Sequence, residues 1–387
     1  MLFAEIKSTV ILALVFASRM LGLFMVLPVL ALYSETIAQA TPFLIGMAAG
    51  IYGLSQAILQ VPCGFLSDYF GRKPVIMAGL LIFIFGSLLA AFSSSIWGLI
   101  LGRAIQGMGA VGAPILALVA DLTRDEVRTK AMAIIGISIG FTFVLAILLG
   151  PVLDACIGLS GIFLLSALLG VMGLFLMMFL QPPLQKTKIL KGQIQHLLKH
   201  SDLWRLNANI FILHAILTAG FLVFPSHIAQ VTSLEANQIW RFYAPVLVVS
   251  ILLVAPLLRY ADVGKWQNKL MNTALIILGI ACLLFVSTTH VIALYIFATL
   301  FFFAFNYLEA SLPSMVSRVV PKTSKGAALG VYSFSQFLGM FAGGLFGGCI
   351  QQWVGPWGIG LSCLLLTMLG CTFLSNRGQV WQEELIK

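Results

Sequence analysis

The chain has 387 residues, of which 60% are hydrophobic and 9% charged. Soluble domains carry about 25% charged residues, and a soluble fold of this composition would expose apolar patches wide enough to aggregate. The net charge of +9 comes from bases in short loops between apolar runs, not from the polar basic surface that a nucleic-acid reader presents, so no nucleic-acid partner is expected.

A bilayer core about 30 Å thick takes roughly 20 helical residues to cross. In chain order, apolar segments of that size fall at 9–33, 42–66, 74–93, 97–120, 131–153, 159–181, 206–228, 237–259, 269–288, 291–315, 327–348 and 357–376. Helix is the conformation that satisfies the backbone in lipid, and the alternating ten-residue pattern of a barrel is absent. The reading is an all-α membrane protein with twelve transmembrane helices. The first segment ends near Ala38-Gln39-Ala40, a small-residue pattern that resembles a cleavage site. Its apolar run from Ser8 to Tyr33 is longer than the roughly 7–15 residues of a signal-peptide core, so it reads as a retained helix.

Of the 22 Lys and Arg, all but Arg19, Arg103 and Arg241 fall in the tails and loops on one side. This bias places both termini in the cytosol. The longest polar stretch, Gln181–Arg205, divides the chain into a six-helix bundle over 1–181, a linker over 182–205 and a second bundle over 206–387. The linker either lies on the membrane as an amphipathic helix with Ile194, Leu197 and Leu198 toward lipid, or is simply solvated. Lys130-Ala131-Met132-Ala133 and Lys325-Gly326-Ala327-Ala328 occupy matching places after segments 4 and 10, as parallel repeats would.

The six cysteines form no CxxC pair and sit in or beside apolar runs, where they serve as small hydrophobes. Cys156 and Cys349 both fall near outer loops, which leaves a disulfide open. No nucleotide loop, metal-spaced His/Cys set or nucleophile–base pair is present, so neither an enzyme nor an ATP-driven pump is expected.

Between segments 2 and 3 runs Gly64-Phe65-Leu66-Ser67-Asp68-Tyr69-Phe70-Gly71-Arg72-Lys73. Gly64 would let a neighbouring backbone approach, Gly71 would allow a tight turn, and Asp68 can pair with a base or face a helix N-terminus. This string resembles signature A of the major facilitator superfamily of secondary transporters. Arg103-Ala104-Ile105-Gln106-Gly107 resembles its signature B, and Gly150-Pro151 resembles part of its antiporter signature. Asp154-Ala155 depart from the glycine pair expected after that last motif, which weakens it as a sign of antiport. The resemblance implies two pseudo-symmetric six-helix bundles around a central cavity, working by alternating access as a monomer. It implies that Asp68, Arg72 and Lys73 meet Asp121, Arg128 and the start of segment 11 to close the inner side. It also implies a bacterial inner-membrane protein. A soluble C-terminal domain that some members carry is not expected, since the chain stops about ten residues after segment 12.

A charge at a helix centre costs at least about 2.5–3.5 kcal/mol and is a functional candidate. Arg19, Arg103, His214 and Glu309 are the residues in question. At about 1.5 Å per residue, Arg19 and Glu309 differ by about 6 Å in depth and Arg103 and Glu309 by about 17 Å. Glu309 is therefore expected to bind protons, with Arg19 and His214 tuning it. The alternatives are a static Arg19–Glu309 pair and a histidine that only packs. Met20, Met25, Phe305 and Asn306 are expected in a cavity suited to amphipathic small molecules. The expected activity is proton-coupled export without a cofactor, the proton gradient supplying the energy. Facilitated metabolite uptake and a non-transporting sensor on the same fold stay open.

Overall fold

The computed structural model describes residues 1–33, 37–180, 201–261, 267–320 and 325–375. Among the described residues, ten helices are long and apolar enough to cross a membrane, and a pair bent by 43°, Ser201–Phe221 and Phe224–Thr232, makes an eleventh span. The helix Asp125–Met178 has 54 residues, about 80 Å at 1.5 Å per residue, far more than one crossing takes. It breaks at Gly158, where φ is 67° and ψ 176°, values foreign to a helix and open to glycine. Counted as two, it brings the total to twelve.

In order, span 1 is Phe3–Leu30, span 2 Pro42–Phe70 and span 3 Arg72–Ala91. Span 4 is Ile96–Met108 continued by Gly112–Asp121, and spans 5 and 6 are the two parts of Asp125–Met178. Span 7 is the bent pair, span 8 Trp240–Ala261, span 9 Gln267–Ser287 and span 10 Val291–Val319. Span 11 is Lys325–Trp353 and span 12 Pro356–Ser375. Several helices run past the apolar segments seen in the sequence, because hydropathy marks the stretch in lipid and the helix continues into water. Span 7 likewise starts at Ser201, inside the expected linker, where Asp202 in the first turn pairs with Arg205 at 3.0 Å. The rest of the linker, including Ile194, Leu197 and Leu198, and the tail after 375 lie outside the described residues.

Two side chains cap spans at the end away from the termini. Thr41 Oγ1 accepts the Leu44 N–H at 3.2 Å and Ser95 Oγ accepts the Gly98 N–H at 3.2 Å, each satisfying a donor that the first helical turn leaves free. Large apolar side chains such as Phe85, Phe141, Leu168, Leu252 and Ile292 are exposed along the spans, as lipid-facing residues must be. Trp97, Trp353 and Trp357 are exposed near the ends of their spans, the level at which a bilayer favours indole.

Spans 1–6 pack chiefly on one another, as do spans 7–12. Between the halves the tightest packing joins spans 2 and 11. A Cβ on Gly46 would stand 2.2 Å from the Gly344 carbonyl oxygen, and one on Gly50 2.8 Å from that of Phe341. The Phe43 N–H donates to Gln352 Oε1 at 3.3 Å at the same end. At the other end of these spans, which carries the chain termini, Gly326 and Gly330 have open space where a Cβ would point. The halves are thus locked together at the end of spans 2 and 11 away from the N-terminus.

Candidate functional site

The turn between spans 2 and 3 is built around Gly71, whose φ of 99° and ψ of 152° disfavour any side chain. Arg72 follows at once and pairs with Asp68, with Asp121 of span 4 at 3.2 Å, and with Ser67 Oγ at 2.7 Å. Lys73 donates to the Leu180 carbonyl at 2.8 Å, tying the turn to the end of span 6. Two expectations are corrected here. Arg128 does not join Asp68: it donates to the Ala120 carbonyl at 3.2 Å and pairs with Asp125 at 2.6 Å, within its own turn. Gly64 permits no close backbone approach, since its Cβ would meet only Ala113 Cβ, at 3.8 Å. The start of span 11, the other expected partner, has open space where a Cβ on Gly326 or Gly330 would point.

In the first half, Arg19 and Arg103 are both fully buried. Arg103 donates to the Ala48 carbonyl at 3.3 Å and to Gln106 Oε1 at 2.8 Å, and Gln106 donates on to Ser87 Oγ at 2.8 Å. Arg19 donates to Gln56, which passes the chain to Gln60 Oε1 at 3.1 Å. Both guanidinium groups also lie against the Tyr52 ring, at 5.6 Å for Arg19 and 4.9 Å for Arg103, with Phe83 at 5.8 Å from Arg19. A desolvated cation over an aromatic ring gains about 2 kcal/mol or more. Gly107 lets span 4 lie directly on the Tyr52 backbone, 2.3 Å from its carbonyl oxygen by the same Cβ measure. The expected Arg19–Glu309 pair is not made. Depth alone brought the two together; Arg19 points instead into its own half, among spans 2 and 3.

The second half holds Glu309. Gln336 on span 11 donates from Nε2 to Glu309 Oε1 at 3.3 Å and lies 2.8 Å from His214 Nε2 on span 7. The second oxygen, Glu309 Oε2, is 3.8 Å from His214 Nε2 and accepts no hydrogen bond. His214 Nδ1 sits 3.3 Å from the Ile210 carbonyl. The His214 side chain is 4% exposed, whereas Glu309 keeps 36% of its side-chain surface open. The site is a carboxylate, an imidazole and an amide from three different spans, with one carboxylate oxygen buried and left without a hydrogen bond. Such a set can take up, hold and pass a proton. Gln336 escaped the sequence reading because a neutral amide carries no charge to single it out.

An aromatic row leads from this site into the first half. Phe24 packs edge-on against Phe143 at 5.2 Å, Phe143 stacks on Phe305 at 5.8 Å, and Phe305 meets the His214 ring at 6.0 Å. The row bears on the residues expected to line a cavity. Met20, Met25 and Phe305 are packed shut, at 4%, 0% and 3% exposure. Span 5 presses on span 1 where a Cβ on Gly150 would come 2.8 Å from the Met25 carbonyl oxygen and 3.2 Å from Pro28, and Pro151 is buried beside it. Asn306 is part-exposed and donates to Ser250 Oγ at 3.3 Å. Cys156 and Cys349 are free thiols, as are the other four cysteines.

Residues 12–344 match the Major Facilitator Superfamily. The inner membrane transport protein YajR of Escherichia coli is 40% identical over 379 residues, 96% of this chain and 83% of that protein. The multidrug resistance protein MdtH of Aeromonas salmonicida is 26% identical over 371 residues, 92% of this chain and 90% of its own length. Among solved structures, a bacterial homolog of the human lysosomal transporter Spinster, in an inward-facing and occupied conformation, shares the fold. Its TM-score is 0.74 at 14% identity, over 97% of each chain.

Proposed function

The chain belongs to the Major Facilitator Superfamily, and we propose that this membrane transporter is a proton-coupled exporter of amphipathic small molecules. One observation carries the reading: Glu309, an acid deep within a span, is held by Gln336 beside His214 and leaves its second oxygen buried without a hydrogen bond. A carboxylate at such depth is costly when ionised. It is retained where its charge is put to use. The first-half arginines keep a single charge state at any physiological pH.

In the proposed cycle the termini lie in the cytosol of a bacterial cell, as the Lys and Arg bias supports. The interlocked ends of spans 2 and 11 then face outward, and the end of span 11 at Gly326 and Gly330 faces the cytosol. An apolar or aromatic compound entering from the cytosol would part the buried Phe143–Phe305 row and displace the proton from the Glu309 site. Reclosure at the Asp68–Arg72–Asp121 turn would accompany opening outside. Once parted, these rings suit amphipathic cargo more than sugars, since they offer stacking and dispersion. A relative named as a multidrug resistance protein supports the same direction. The proposal takes one chain, protons and a small molecule as the participants, with the proton gradient as the energy source and no cofactor.

The test is whether added compounds collapse a pH gradient in inside-out vesicles carrying wild type or Glu309→Gln. Release of protons with wild type alone supports antiport through Glu309. Equal behaviour of the two proteins across a broad panel, with compound binding intact, would favour a facilitator or a sensor.

A further inference from the structure

Gln336 holds a position that the sequence motifs leave unassigned. It stands on span 11 where the packing against the first half ends. A Cβ on Gly53 would come 2.5 Å from the carbonyl oxygen of Phe337, the next residue, and the close contacts then continue through Phe341 and Gly344. In the other direction Gly330 already faces open space.

The hydrogen bonds around it have one consistent assignment. The Ile210 carbonyl can only accept, so His214 Nδ1 at 3.3 Å must carry the proton. His214 Nε2 is then a lone pair and requires a donor, which the Gln336 amide supplies at 2.8 Å. An ionised Glu309 also accepts only, and the same amide nitrogen supplies its second hydrogen at 3.3 Å. One NH2 group thus serves both proton acceptors, and its orientation is fixed from two sides.

We infer that Gln336 is a positioning residue for the proton site: its amide holds His214 in the Nδ1–H form, with Nε2 unprotonated beside Glu309 Oε2. This rests on the proposed reading of Glu309 as the coupling acid, and deepens it. A proton arriving on His214 Nε2 would face the Gln336 N–H with a second donor. The amide must then turn its oxygen toward the ring or withdraw, and it withdraws on the span that locks the far end of the molecule. The titratable groups around the amide are Glu309 of span 10, His214 of span 7 and the buried Tyr332 one turn earlier on span 11. Span 5 contributes Phe143 through Phe305, and span 8 contributes Ser250 through Asn306, neither of which ionises here.

The test is solid-state nitrogen NMR of the full chain in lipid bilayers with labelled histidine, the His214 signals being assigned by their loss in His214→Asn. At alkaline pH the wild type should show a protonated Nδ1 and a bare Nε2. Gln336→Leu should lose that single form and move the pH at which the His214 signals titrate, and Gln336→Asn should restore part of it. An unchanged Nδ1–H form and an unchanged titration in Gln336→Leu would overturn the inference. If Gln336→Leu does not fold, the wild-type spectrum decides alone, since a proton on Nε2 at alkaline pH contradicts the assignment. Compound-driven proton release is read on the same preparations. Its absence in wild type would sink the antiport reading while leaving the NMR result for Gln336 intact.

Discussion

The two halves of the molecule each bury ionisable groups at membrane depth, and they treat them in opposite ways. In the first half Arg19 and Arg103 are sealed, share one Tyr52 ring and are held by Gln56, Gln106 and the Ala48 carbonyl. A guanidinium keeps its charge at any physiological pH, so this network has one state and acts as a brace among spans 1 to 4. In the second half Glu309 and His214 can each change charge, and a rotatable amide joins them. Burial alone therefore does not mark a working site. What marks it is a group that can change state and is tied to other spans.

That contrast can be broken or sharpened by substitution. The largest effect is expected at His214. His214→Phe keeps a ring against Phe305 but removes the proton carrier, and proton-coupled efflux at neutral pH should fall by roughly a hundredfold, the low end of the range for acid–base groups in catalysis. Efflux assays on everted vesicles read this, and an unaffected rate would reduce His214 to packing. Next comes the closure between the halves. Gly46→Ala sets a methyl group 2.2 Å from the Gly344 carbonyl oxygen, and overpacking of about 1–3 kcal/mol should shift the population roughly tenfold toward the state open at that end. Distances between spin labels replacing the exposed Phe92 and Trp353, in a cysteine-free background, would report it. A distribution unchanged from wild type would mean that the glycine contact is not what holds this end shut.

Smaller effects are expected within the first half. Arg103→Lys cannot serve Ala48, Gln106 and the Tyr52 face together, and a loss of about 1–3 kcal/mol of stability should appear as a lower melting temperature in detergent. The proton-to-compound ratio should stay as in wild type; a change in that ratio would mean that the brace takes part in coupling. The smallest expected change is in Asn306→Ala, which removes the bond to Ser250 and should cost about 1 kcal/mol, again read by melting.

Much of this architecture is legible in the sequence, and the reasons differ from element to element. The twelve spans follow from length and hydropathy because lipid leaves helices little freedom. The turn at Gly71 was legible because its positive φ suits glycine above other residues. The Arg19–Glu309 pairing failed for a physical reason. Residue counting gives depth along the membrane normal and nothing about direction around a helix axis, and the Tyr52 and Gln56 face of span 2 decided where Arg19 points. Arg128 failed similarly, since Asp125 one turn away competes for it more effectively than a residue on another span. Gln336 and the Phe24–Phe143–Phe305 row were illegible because neutral amides and phenylalanines are unremarkable in a membrane sequence until three spans bring them together.

The most direct measurement is the proton released per protein when a lipophilic cation is added to the purified chain in weakly buffered detergent, with Glu309→Gln and Arg19→Met assayed side by side. Release that is lost in Glu309→Gln and kept in Arg19→Met is the predicted result. Release that survives in Glu309→Gln, or disappears in an Arg19→Met protein that still binds the compound, would contradict the division of labour between the two halves.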